Sequence, residues 1–125
     1  MAQSFQDLVA WQKAMDLVVA VYEATAAFPK SELYGLTSQM RRASVSVPSC
    51  IAEGHGRSTR GEFFQSLGQS RGSLLELQTQ ILVAERLRYL SEASGRSLLE
   101  LSYETGRILN GLKNAVERQK LRLTR

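Results

Sequence analysis

Apolar residues recur at alternating steps of three and four in four stretches that together span nearly the whole chain. The first runs Leu8, Trp11, Met15, Val18 and Tyr22. The second runs Leu33, Leu36, Met40, Ala43, Val47 and Cys50, and the third Leu67, Ser70, Leu74, Leu77, Ile81 and Ala84. The fourth runs Leu98, Leu101, Thr105, Ile108, Leu112 and Ala115. An α-helix turns once per about 3.6 residues, so each series falls on one stripe. Four stripes predict an all-α fold, an antiparallel up-down-up-down four-helix bundle. Other apolar residues stand off these stripes: Phe5, Val9, Val19, Phe63, Phe64, Leu75, Leu99, Tyr103 and Leu109. A monomeric bundle needs one buried face per helix, so this second apolar edge predicts contacts between subunits.

Local signals place the helix ends. Ser4 is positioned to cap a first helix through the amide of Asp7, and Pro29 closes that helix off. Ser31 and Glu32 open the second, with Gly35 weakening its first turn. Gly54 or Gly56 should end it by taking the left-handed conformation that closes many helices. Ser58 or Thr59 caps the third, with Glu62 completing a capping box, and that helix ends near Leu87 to Leu90. Ser91 or Ser94 caps the fourth, which runs to about Lys120. Residues 1–120 then form one bundle and 121–125 a basic tail. Short connections make sequential helices antiparallel neighbours.

The chain has 125 residues, enough for one domain with a substantial core. No apolar run approaches the roughly 20 residues that span a bilayer. The opening MAQSFQDL lacks the basic flank and apolar stretch of a secretory signal. The single cysteine, Cys50, excludes an internal disulfide and a thiolate metal site. A cytoplasmic protein is expected, with no membrane partner. Of 16 basic residues, Arg118, Lys120, Arg122 and Arg125 fall in the last eight positions, which hold no acid. The remaining 12 equal the 12 acids, so the body is formally neutral and the excess belongs to the tail. Up-down topology brings that tail to the same end as Arg57 and Arg60 in the turn after the second helix. These six are the candidate nucleic-acid contacts, by charge alone. The alternative is a solvated chain end.

Residues able to carry chemistry are sparse. Pro48 lies inside the second stripe and reads as a kink rather than a docking surface. His55, the only histidine, stands between two glycines without neighbouring ligands or a partner base, and reads as a solvated loop residue. Cys50 falls on the apolar stripe and reads as core packing. Glu53, Glu76 and Glu100 lack the Glu-x-x-His pairs of a di-iron bundle. Arg41 and Arg42 lie off the stripe and suit either phosphate or an interface ion pair. No glycine-rich phosphate loop or serine-centred triad motif is present. The expectation is a non-enzyme with no cofactor, no metal and no small-molecule substrate.

The segment QMRRASVSVPSCIAEGHGRSTRGEFFQSLGQSRGSLLELQTQ, Gln39 to Gln80, resembles the core signature of a bacterial four-helix-bundle family. That family was first noted in intervening sequences of large-subunit (23S) rRNA genes. DLVAWQKAMDLVVAVYEAT, then FP and LYGLTSQ, support the match upstream. The motif positions, of unassigned role, are Arg42, Pro48, Glu53, Gly54, Arg57, Gly72, Ser73 and Glu76. The chain departs from the family pattern at Cys50, usually asparagine, and at Arg71, usually a small residue. The resemblance implies a small cytoplasmic bundle that forms a homo-oligomer, with a pentameric ring the favoured form. Relatives in diversity-generating retroelements are accessory proteins that bind nucleic acid and reverse transcriptase. The resemblance therefore implies RNA or a nucleic-acid enzyme as partner, with a purely structural self-assembly as the alternative.

Overall fold

A computed structural model describes the backbone of residues 4–123 and the side chains as far as Lys120. Four α-helices follow one another: α1 (Val9–Thr25), α2 (Leu36–His55), α3 (Arg60–Arg86) and α4 (Glu92–Leu123). Short 3₁₀ turns at Phe5–Asp7 and Lys30–Glu32 precede α1 and α2. Each helix packs on the next and α1 closes on α4, while the diagonal pairs do not meet. This is the up-down-up-down bundle. Its antiparallel register is visible at the α2–α3 seam, where Ser46 bonds Ser73 at 2.8 Å and Ser70 donates to the Val47 carbonyl at 2.8 Å. Further along the same seam, Gly54 faces Phe63 and Ser66.

The helix ends follow local chemistry, with corrections at the start of α1, at the end of α2, and at the start of α2, which opens at Leu36 and not at Ser31 or Glu32. The Ser4 hydroxyl accepts from the Gln6 amide at 3.1 Å and caps the 3₁₀ turn, so α1 itself starts only at Val9. Gly56 ends α2 with φ −83°, not in the left-handed region. The one left-handed residue among those described is Arg88, φ 64°, in the α3–α4 turn. There the Tyr89 amide reaches back to the Ala84 carbonyl at 2.9 Å, closing α3 without glycine. Thr59 and Ser91 act as expected, accepting from the Glu62 and Ser94 amides at 3.1 Å each.

The third stripe is wholly buried, and the second is buried from Met40 to Val47. The first and fourth are rotated by about one residue. In α1 the core line is Ala10, Ala14, Leu17, Val21 and Thr25, while Met15 and Tyr22 are exposed. In α4, Leu98 and Thr105 of the expected stripe are buried, joined by Ser102, Leu109 and Val116, while Leu101, Ile108, Leu112 and Ala115 are half-buried. The choice favours small residues where helices approach closely. Buried hydroxyls make this possible: Thr25, Ser102 and Thr105 each donate to a carbonyl of their own helix at 2.8 Å, so none is left unsatisfied. Phe63 and Leu109, assigned by sequence to a second apolar edge, belong to the core. Val9, Val19, Leu75 and Tyr103 do stand exposed.

At the end opposite the α2–α3 turn, Glu32 ties two connections together. One carboxylate oxygen accepts from the Leu36 amide at 3.1 Å, and the other accepts from the Tyr89 hydroxyl at 2.9 Å. The hydrogen bond to Glu32, with burial and the carboxylate's negative charge, raises the Tyr89 phenol above the ordinary tyrosine value of 10.0. The folded state thus holds this proton more tightly than the unfolded chain. The resulting stabilisation is complete below the ordinary value and is lost as pH rises through the folded one. The difference between ultraviolet titrations of the intact protein and of Tyr89→Phe isolates this group, and its midpoint is expected above 10.0. A midpoint at or below 10.0 would contradict it.

Candidate functional site

The α2–α3 turn is built by backbone bonds. The Gly56 amide reaches the Ala52 and Glu53 carbonyls at 3.2 Å each, and the Arg57 amide reaches Gly54 at 3.1 Å. Thr59 then starts α3 beside the final turns of α4. The two elements enclose an open groove of about 840 Å³. Leu8, Phe63, Leu112 and Val116 form its apolar floor, and Arg57, Arg60 and Lys120 stand among its lining. Three of the six sequence candidates are thereby brought together. Arg118 is exposed on α4 but does not line the groove. The Arg122 side chain and Arg125 lie outside the described residues.

One aromatic ring holds two cations here. Lys113 and Lys120 lie 4.9 and 5.5 Å from the Phe64 ring centre. Such contacts fix an ammonium group while leaving it hydrated on its outer side. His55 is not a solvated loop residue. It is the last residue of α2, half-buried, with its ring edge-on to Phe63 at 5.9 Å.

The motif residues divide between packing and surface. Gly54 is a packing residue: a β-carbon there would lie 2.6 Å from that of Ser66 and 2.9 Å from Phe63. Pro48 is buried within α2 and so presents no docking surface. Ser73 bonds Ser46 across the seam. Arg42, Glu53, Arg57, Gly72 and Glu76 are exposed. Cys50 is half-buried at the seam, not in the core, with its sulfur 3.7 Å from the Ser46 hydroxyl. Tertiary structure also creates a pairing absent from any local pattern: Arg41 lies 4.6 Å from the Tyr22 ring centre and donates to the Thr25 hydroxyl at 2.9 Å. Sixteen or more positions separate these partners, so no helical spacing announces them.

Among the described residues, no three His, Cys, Asp or Glu side chains are grouped to hold a metal ion. No described helix is long and apolar enough to cross a membrane.

A crystal structure of a protein of unknown function from the S23 ribosomal protein family of Bacteroides thetaiotaomicron is similar to this chain. The TM-score is 0.78 at 17% identity, covering 85% of this chain and 96% of that one, which shows a shared fold. No curated protein matches the sequence. The sequence model of one family spans residues 6–111, from before α1 into α4 and across every motif residue described above, and the chain belongs to that family, the 23S rRNA-intervening sequence proteins.

Proposed function

We propose that this chain is a non-catalytic, cytoplasmic helical module that assembles with copies of itself and binds RNA through its basic end. The observation that carries this reading is the convergence of Arg57, Arg60 and Lys120 around one groove at the meeting of the α2–α3 turn and α4. Lysine and arginine gathered this way bind phosphates by counterion release, without reading sequence. Repetition of that end in an oligomer turns a weak patch into a multivalent surface. The outer face of α3 supports assembly. Gly68 and Gly72 sit one turn apart where an added β-carbon would meet nothing within 4 Å, and Leu75 beside them is 49% exposed. Helical glycine costs about 0.5–1 kcal/mol relative to alanine, and nothing within the subunit requires it at these positions. Close approach of another subunit does. A ring is the expected form, with a pentamer favoured by the family.

RNA titration at low and high salt, on protein whose mass is known from light scattering, tests this reading. Intact protein is expected to bind at low salt. Arg57→Gln with Lys120→Gln should lower the magnitude of the salt slope by about one per phosphate contact removed. Gly72→Ala should leave the helix content intact and shift the mass toward monomer. An oligomer that binds no RNA even at low salt would leave self-assembly alone as the function. A concentration-independent monomer would remove the assembly reading.

A further inference from the structure

A second groove, of about 590 Å³, runs along the outer face of α2 beside α1, away from the basic end. Its charged lining is Arg41 and Arg42, with no acid among the lining residues. Thr37, Ser38, Ser46 and Ser49 are also among its lining, with the Ser46 hydroxyl bonded to Ser73 and the Ser49 hydroxyl donating to the Val45 carbonyl. Tyr34 stands at its mouth and is 94% exposed. Tyr22 and Val45, 43% and 40% exposed, border the same groove.

We propose that this groove binds an organic phosphate carrying a flat ring, of the nucleotide class, with Arg42 on the phosphate and Tyr34 stacked on the ring. Four observations converge on that chemistry. First, the two arginines give the groove an uncompensated positive charge, complementary to a phosphate, and a guanidinium forms bidentate bonds with phosphate oxygens. Second, Arg41 is already fixed. Its Nε donates to the Thr25 hydroxyl at 2.9 Å, and Nη2 points to the Tyr22 carbonyl at 3.5 Å. Its plane rests on the Tyr22 ring, so its charge is oriented before any ligand arrives. Third, the exposed Arg42 follows Arg41 directly and adds a second cation at the open side. Fourth, Tyr34 leaves both ring faces to solvent, and a bare aromatic ring beside a cationic groove is a stacking platform for a planar base.

The spacing suits one ligand. Tyr34 lies in the turn two residues before α2, and Ser38, Arg42 and Ser49 follow within α2 at steps of four and seven, along one face of the helix. Eight positions separate Tyr34 from Arg42. Gly35, whose dihedrals are not helical, sets the ring off from the helix axis, and both residues line the one groove. No linear motif for such a ligand exists in the chain, because α1 supplies one wall and the turn before α2 supplies the ring. The same chemistry is offered by a free nucleotide and by a nucleotide within single-stranded RNA.

Equilibrium dialysis on the full chain tests the proposal, using AMP, ribose 5-phosphate and a single-stranded oligoribonucleotide. Saturable AMP binding is expected. Arg42→Gln should weaken AMP and ribose 5-phosphate alike, by about tenfold. Tyr34→Ser should weaken AMP by about tenfold and leave ribose 5-phosphate unchanged, because only the base touches the ring. Both residues are exposed, and circular dichroism confirms that the variants fold. An oligoribonucleotide that displaces AMP and weakens in the same two variants identifies the strand as the source; AMP binding without displacement identifies the free nucleotide. Absence of saturable AMP binding overturns the proposal, as does equal weakening of AMP and ribose 5-phosphate by Tyr34→Ser. RNA binding lost only on changing Arg57 and Lys120 leaves the basic-end reading in place and excludes the strand as the source.

Discussion

Leu109→Ala is expected to destabilise the protein by about 2–5 kcal/mol, and Ile108→Ala by less than half as much. The two residues are chemical near-equals and chain neighbours, so the contrast isolates burial. Leu109 is fully buried, on the inner line of α4 with Leu98, Thr105 and Val116. Ile108 is rotated about 100° away along the helix and packs against the core only from its rim. Removing Leu109 sacrifices its apolar burial and leaves a cavity between helices that cannot collapse freely. Removing Ile108 exposes a side of the molecule that water already reaches. Urea unfolding of both variants checks this. Equal losses would mean that α4 sits in the rotation its apolar periodicity suggested.

Gly54→Val is expected to cost about 3 kcal/mol, toward the upper end of overpacking effects. At Gly54, α2 meets α3 so closely that a β-carbon would fall 2.6 Å from the Ser66 β-carbon. That atom is bound directly to the α3 backbone and cannot swing aside, unlike the far end of a long chain. The helices must part, which loosens Phe63 on the floor of the basic groove. Alanine at the same position meets the same clash. Its better helix propensity, about 1 kcal/mol, offsets only part of that cost. Thermal unfolding of Gly54→Ala and Gly54→Val gives the order: both destabilised, valine more. A stabilised alanine variant would mean that the crossing is looser than described. Gly111→Ala serves as contrast, since its β-carbon meets nothing within the subunit.

The amino-acid pattern alone determined the class of fold, the number and order of helices, and most of their ends. A period of 3.6 residues is a local property, and caps such as Thr59 and Ser91 act within four residues of themselves. It also located the α2–α3 turn with Arg118 and Lys120 at one end of the bundle, because chain direction alternates in an up-down fold. The rotation of α1 and α4 was decided only on assembly. An amphipathic helix offers a broad apolar arc. Which line within it faces inward depends on how near the neighbouring backbones come, so Ala10, Ala14 and Ser102 displaced larger side chains from the centre. The same holds for single residues. Gly54 matched a motif, yet its reason, the approach of Ser66, exists only where α2 crosses α3. The sequence placed Cys50 on an apolar stripe, and packing set it at a half-open seam. The Tyr22–Arg41 stack and the groove beside it join residues from different helices, and contacts of that separation leave no periodic trace in the chain.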